Sequence, residues 1–113
     1  NKKNTTEPEE KPIEITDIVG TWYGPIDSEG HVEFDINDNN YITRFKIAAR
    51  YPGLYPSWNT FIYYNLNVLV DSDWKFDLNY ATGEFLSDTL CEGDFSHTFQ
   101  GVTARGTWTA TKQ

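Results

Sequence analysis

The chain has 113 residues, enough for one domain, with 16% aromatic residues, a single cysteine and a net charge of −8. Its acidity disfavours nucleic-acid binding, because the chain would repel phosphate backbones. No stretch of 18 apolar residues occurs, so the sequence predicts no membrane-spanning helix. Cys91 cannot form an internal disulfide, and we expect it to be a buried thiol.

Residues 1–12, NKKNTTEPEEKP, have no apolar side chain and contain two prolines. Since they cannot offset their ordering entropy, we expect a flexible tether ahead of a single domain at residues 13–113. The chain begins without a methionine or a signal peptide, which suggests that something was removed upstream. Such a tether resembles the stem behind the lipidated cysteine of a bacterial lipoprotein. A boundary inside a larger protein is the alternative.

From residue 18 onward, alternation with a period of two predicts an all-β chain with no helix. Short links between consecutive strands predict an antiparallel up-and-down meander. The eight predicted strands lie at about residues 18–26, 31–38, 41–50, 58–70, 74–81, 84–91, 94–100 and 103–112.

Turn chemistry predicts the register of the hairpin that joins the second and third strands. The two asparagines at 39–40 suit a type I′ turn. That turn would place Asp35 opposite Arg44 on the outer face and Phe34 opposite Phe45 inside.

Two later connections are also predicted as tight turns. Gly101-Val102 suits a type II′ turn, which would place His97 opposite Gly106. Residues 71–73 are predicted to form a three-residue link between the fourth and fifth strands.

The predicted inward face is crowded with aromatic side chains, whereas Phe61 and Tyr63 are predicted to point outward. An open sheet would leave these aromatic residues uncovered and expose two edges, so we expect an eight-stranded closed barrel. The triplet Gly-Thr-Trp occurs at 20–22 and again at 106–108. We expect the first and last strands to pair, each bringing a glycine that permits close approach and a tryptophan that fills the barrel. The predicted inward residues are Trp22, Phe34, Tyr41, Phe45, Trp58, Tyr64, Trp74, Phe76, Tyr80, Phe85, Phe95, Phe99 and Trp108.

Gly20-Thr21-Trp22 resembles the G-x-W signature of lipocalins and the wider calycin group. The resemblance implies an up-and-down barrel with this tryptophan inside. The closing segment ARGTWTATK, residues 104–112, resembles the last strand of short lipocalin-like lipoproteins of gut Bacteroidetes, many of unknown function. This resemblance implies a cell-envelope or extracellular protein, lipid-anchored upstream of residue 1.

The sequence offers little catalytic chemistry. No zinc-protease, paired-cysteine or nucleophile-elbow motif is present, and no buried acid–base pair can be named. DINDNN, residues 35–40, is predicted to be a hairpin turn, because a calcium loop needs glutamate where Lys46 stands. We therefore expect a non-enzyme without metal or cofactor. A set of carboxylates near the turns at the tether end is interpreted as solvated turn formers, with a weak cation site as the alternative: Asp38, Asp71, Asp73, Glu92 and Asp94.

The longer connections, 25–30 and 51–58, are predicted to lie at the opposite end of the barrel. The second, YPGLYPSW, concentrates aromatic residues that must either plug the barrel mouth or contact a ligand. The predicted ligand-binding residues at this mouth are Ile26, Ser28, Tyr51, Leu54, Tyr55, Trp58 and Tyr80, with Trp22, His97 and Trp108 in the interior. For His97 both a satisfied interior role and a ligand contact remain open.

The sequence thus favours a non-catalytic module that binds a small hydrophobic or aromatic-stacking ligand, or a protein partner, and reaches a membrane only through an upstream lipid anchor. Two alternatives stay open. One is a protease inhibitor acting through the N-terminal segment, and the other is a structural interaction module.

Overall fold

A computed structural model describes residues 14–27 and 29–113, so the predicted tether lies outside the described residues. The described chain confirms the all-β antiparallel up-and-down prediction, with eight strand positions in one sheet that curls into a half-barrel. None of its described segments is a helix of the length and apolarity needed to cross a bilayer. The strands are β1 (Gly20–Pro25), β2 (Gly30–Ile36), β3 (Tyr41–Arg50), β4 (Trp58–Tyr63), β5 (Val68–Leu69), β6 (Lys75–Asp77), β7 (Ala81–Phe85), β8 (Leu90–Phe99) and β9 (Val102–Lys112).

The sheet order is β4-β3-β2-β1-β9-β8-β7-β6, and β5 pairs with the start of β3. The first and last strands therefore meet in the middle of the sheet, as the repeated triplet predicts. Tyr23 pairs with Thr111, and an isolated bridge joins Ile26 to Trp108. The Asp27 N–H donates to the Thr107 carbonyl at 2.8 Å, which extends the β1–β9 junction beyond the strand end.

The glycine that permits this close approach is Gly24, not the glycines of the two triplets. A Cβ placed on Gly24 would lie 1.7 Å from the Thr109 carbonyl oxygen. At Gly20 the nearest atom would be 3.6 Å away, and at Gly106 it would be a carboxylate oxygen of Asp27. The backbones of β1 and β9 thus touch only because residue 24 has no side chain.

The wall of the half-barrel is open between β4–β5 and β6 along the described chain. The predicted strand 58–70 divides into β4 and β5, because Asn65 has a positive φ and the Leu66 N–H donates to the Thr43 carbonyl. The link 71–73 does form a turn, but Trp74 also has a positive φ. The chain consequently turns away at Trp74, and β6 pairs with β7 alone.

The first hairpin keeps its predicted pairs, with Asp35 opposite Arg44 and Phe34 opposite Phe45. Its turn differs from the prediction, because only Asn40 has a positive φ and a bulge between Asp35 and Ile36 restores the register.

The last hairpin turns at Gln100-Gly101, which both have positive φ, instead of at 101–102. His97 therefore pairs with Ala104 and not with Gly106. The predicted register is wrong by two residues, and an even shift leaves every side chain on its predicted face.

The buried residues confirm which side chains point inward on most strands, but the prediction for β4 is wrong. Trp58 and Tyr64 are exposed, whereas Phe61 and Tyr63 are partly buried and contact the interior aromatic residues. Tyr41, Trp74, Tyr80 and Phe99 are half-buried at the ends of the sheet. The fully buried predicted aromatics are Trp22, Phe34, Phe45, Phe76, Phe85, Phe95 and Trp108.

Candidate functional site

The loop that follows β3 has one buried and one exposed side. The Tyr51 N–H donates to the Ser57 carbonyl at 2.7 Å, which closes the base of the loop. The Tyr51 side chain is fully buried and Leu54 packs against the core. Tyr55 is fully exposed. The loop is therefore a plug at residues 51 and 54 and a free surface at residue 55.

His97 on β8 is the centre of the buried side. The Tyr51 hydroxyl lies 2.7 Å from its Nδ1 and the Tyr63 hydroxyl lies 2.6 Å from its Nε2. The residue is only 6% exposed. Because a neutral imidazole has one N–H, it donates to one hydroxyl and accepts from the other. His97 thus pins the loop and β4 to β8 with both ring nitrogens.

Aromatic rings enclose this histidine. The Phe61 ring lies 4.6 Å from the imidazole, and the Phe99 ring lies 4.8 Å from Phe61, between ring centroids. The Tyr80 ring lies 4.8 Å from Tyr63 and 5.7 Å from His97, yet the Tyr80 hydroxyl is buried without a hydrogen-bond partner among the described residues. We call these six residues the histidine cluster: Tyr51, Phe61, Tyr63, Tyr80, His97 and Phe99.

Burial sets the protonation states in the histidine cluster. It raises the pKa of Tyr51 and of Tyr80 to about 12 and also raises the pKa of Tyr63. Burial lowers the pKa of His97. At neutral pH the hydroxyls are therefore neutral and the imidazole is uncharged, which gives the cluster hydrogen-bonding capacity but no tyrosinate base or nucleophile.

We predict that the free energy of unfolding falls as the pH drops from about 7 through the region below 6.5. The pKa of His97 is lowered by burial, and the pKa of His31 is lowered by burial and by Lys46. Between the folded pKa and the unfolded value the unfolded chain binds more protons, so acidification favours unfolding, by at most about 1.4 kcal/mol per pH unit for each histidine.

Denaturant unfolding between pH 5 and 8 measures this dependence, with His97→Gln and His31→Gln as the variants. Each substitution should remove part of the slope. The pKa of Asp35 is lowered, chiefly by its hydrogen bond from Arg44. Protonation of this carboxylate therefore changes the free energy of unfolding only below about pH 4. A pH-independent free energy of unfolding from 5 to 8 would show that neither imidazole is held neutral by the fold.

The outer face beside the histidine cluster carries an exposed stripe, which we call the β4 stripe: Trp58, Ile62 and Tyr64. Trp58 is 44% exposed and Tyr64 is 64% exposed. The guanidinium of Arg50, on the neighbouring strand, lies 5.8 Å from the centre of the Trp58 ring and also pairs with Glu29 at 3.0 Å. A cation therefore borders a row of apolar side chains.

The structure brings only part of the predicted mouth together. Tyr51 and Tyr80 meet at His97. Ile26 is buried at the β1–β9 junction, and Ser28 lies outside the described residues. Tyr55 and Trp58 face solvent instead of a barrel interior.

The two interior tryptophans are buried in the core. The Trp22 Nε1–H donates to the Ile18 carbonyl at 2.9 Å, and its ring packs on Phe34 and Phe85. Trp108 donates to the Asp94 carbonyl at 3.2 Å. Both indoles are satisfied within the core and present no polar group to a ligand. Burial also raises the pKa of the Cys91 thiol, which is fully buried as expected.

The acidic side of the sheet does not assemble a metal site in the described residues. The Asp71 carboxylate accepts the N–H groups of Asp73 and Lys75, which is turn chemistry. A groove of about 880 Å³ crosses the neighbouring strands β6 to β9, with Glu84 and Glu92 among its lining residues. Carboxylates and threonines form much of its lining, and Val68, Leu69, Lys75, Phe76 and Trp108 also line it.

Two members of the histidine cluster, Phe61 and Tyr63, were not predicted from the sequence. The alternation along β4 was assigned the wrong way round, so both side chains were expected to point outward. The signal was the pairing of β4 with β3, which places Phe61 opposite the inward Ile47 and Tyr63 opposite the inward Phe45. Alternation along β3 back from the buried Tyr51 also places Ile47 and Phe45 on the inward face.

No protein-family model, curated protein or solved structure matches this chain. The half-barrel is compatible with a lipocalin-like fold.

Proposed function

We propose that this chain is a non-catalytic binding module of lipocalin-like kind, which recognises its ligand or partner on the outside of the half-barrel. The recognition surface consists of Tyr55 and the β4 stripe. The resemblance of residues 104–112 to the last strand of short lipocalin-like lipoproteins supports a location in the cell envelope, behind an upstream lipid anchor.

The single observation that carries the proposal is the exposure of large apolar side chains next to a filled interior. Tyr55 is fully exposed and Trp58 and Ile62 are each at least 40% exposed. Exposed aromatic residues that are concentrated on one strand and its preceding loop are typical of interaction sites. The Arg50 guanidinium beside Trp58 adds a polar group at the rim.

The interior supports an external site, because its space is taken by side chains. The rings of Phe34, Phe45 and Phe76 lie 5.3 to 6.4 Å apart between centroids, and Trp108 contacts all three. The histidine cluster fills the loop end in the same way. A lipocalin-type ligand inside the barrel would have to displace these rings, at a cost of several kcal/mol each.

We predict that Tyr55→Ala and Trp58→Ala change the free energy of unfolding by less than about 1 kcal/mol, because both side chains are exposed. Tyr51→Ala should cost about 2–4 kcal/mol, since its buried ring and its hydrogen bond to His97 are lost. Chemical denaturation of the three variants measures the contrast.

The binding proposal is tested by titrating oligosaccharides and fatty acids and following the Trp58 indole N–H by NMR. Ligand-induced shifts at Trp58 and Tyr55, weakened by about 1–4 kcal/mol in the alanine variants, are expected. Tyr51→Phe is the matched control, because it removes only a buried hydroxyl. Shifts confined to Trp22 and Trp108 would contradict an external site.

A further inference from the structure

The wall of the half-barrel has a notch at the end where the 51–57 loop lies. β6 has three residues and β7 has five, whereas β3 and β8 have ten each. The β7–β8 pairing ends at Phe95, and one more hydrogen bond runs from the Ser96 N–H to the Tyr80 carbonyl at 2.9 Å. Residues 97–99 of β8 therefore pair with β9 alone. β4 pairs with β3 alone. The notch is bounded by the free edge of β4, residues 97–99 of β8 and the β6–β7 turn at 78–80.

The β4 edge lacks the features that usually prevent strand addition. Its sequence, WNTFIY, has no charged residue and no proline. At the other end of the sheet, β6 has three residues, of which Lys75 and Asp77 are charged. Natural sheets usually block an open edge with charges, prolines or short strands. β6 follows this rule, and β4 departs from it with apolar side chains on both faces.

We infer that the notch accepts an extended segment of a partner protein, which adds to the β4 edge as a new strand. This inference rests on the proposed binding function and names its partner class. A strand there would pair its backbone with the free edge of β4. Its inward side chains would cover Phe61 and Tyr63, and the buried Tyr80 hydroxyl, which has no partner among the described residues, lies beside Tyr63.

Charge favours a segment with acidic flanks. Lys46 lies on β3 opposite Ile62, and Arg105 lies on β9 opposite Ser96. Arg50, opposite Trp58, already pairs with Glu29. The stretches 58–69 and 95–106 contain no carboxylate, although the whole chain has a net charge of −8. A second copy of this chain would bring the same Arg50 and Lys46 together and add another −8, so it is a poorer occupant.

The probe is an eight-residue peptide, acetylated and amidated, of alternating valine and threonine with a glutamate at each end. Titrated into isotope-labelled protein, it should shift the amides of residues 58–63 and slow their hydrogen exchange. The same peptide with two central prolines should have no effect, because it lacks the N–H groups to pair. Absence of any effect on residues 58–63 at millimolar peptide overturns the inference.

Thr60→Glu tests the edge, because its outward side chain places a charge beside the added strand without touching the core. It should weaken peptide binding about tenfold or more. Thr82→Glu is the matched control, since Thr82 is also exposed but its strand is paired on both sides by β6 and β8. Equal weakening by the two variants would indicate a general charge effect and overturn strand addition.

Two further results separate this inference from the proposed function. Sugar or lipid shifts at Trp58 and Tyr55, with β4 amides unaffected by the peptide, would leave the binding surface standing and remove the strand partner. Sedimentation of the free protein as a dimer that Thr60→Glu dissociates would assign the edge to a second copy and overturn the inference.

Discussion

Trp108→Ala is expected to lower the free energy of unfolding by about 3–5 kcal/mol, which is a large share of the 5–15 kcal/mol typical of a domain this size. Trp108 is 2% exposed and its ring contacts those of Phe34, Phe45 and Phe76. Removing it leaves a cavity at the centre of the half-barrel that the strands cannot close. Guanidinium unfolding followed by far-ultraviolet circular dichroism measures the loss.

Trp58→Ala is the matched control, because it deletes the same side chain from an exposed position. Its effect should stay below about 1 kcal/mol. The Trp108 ring is also closely packed against Gly93, where a Cβ would lie 2.5 Å from the ring and 1.8 Å from the Thr82 carbonyl oxygen. Equal losses for the two tryptophan variants would contradict the placement of Trp108 at the centre of the core.

Gly24→Ala is expected to cost about 3 kcal/mol, at the upper end of the range for overpacking. The added methyl would fall 1.7 Å from the Thr109 carbonyl oxygen and 2.6 Å from the Ala110 Cα. Both are backbone atoms of β9, so the two strands must separate. Thermal unfolding and denaturant titration of the variant measure the cost.

Gly101→Asn is the control for a glycine that is not packed against anything. A Cβ there would meet no atom within 4 Å, and asparagine tolerates its φ of 78°. This variant should stay within about 0.5–1 kcal/mol of the parent. If Gly24→Ala were equally well tolerated, β1 and β9 would not approach as closely as described.

The fold class could be predicted because it depends on side-chain alternation, which is a local property. The meeting of the first and last strands followed from the repeated triplet and from the aromatic face that an open sheet would leave uncovered. The pairs Asp35–Arg44 and Phe34–Phe45 followed from the same alternation and held despite a different turn. The register of the last hairpin was wrong because Gln100 adopts a positive φ that glutamine seldom favours. In both hairpins each side chain stayed on its predicted face of the sheet, because the register shift in the last hairpin was an even number of residues.

The open wall and the histidine cluster could not be predicted, since both depend on tertiary contacts. The break after Tyr63 reflects a positive φ at Asn65 and a hydrogen bond to the bulged Thr43. The pairing of β4 with β3 puts Phe61 opposite Ile47 and Tyr63 opposite Phe45, so both side chains point inward to His97. The alternation pattern of one strand does not show which strand lies opposite it or where the strand breaks. The mouth predicted from the sequence is therefore divided between a buried cluster and an external surface.

The central claim is that the sheet is continuous through the β1–β9 junction and open along β4. Native-state hydrogen exchange tests both halves in one experiment. We expect strong protection along β1 and β9, including the Asp27 amide that donates across the junction, and fast exchange at alternate amides of β4. Fast exchange of the Asp27 amide and along β1, or uniform protection along β4, would contradict it.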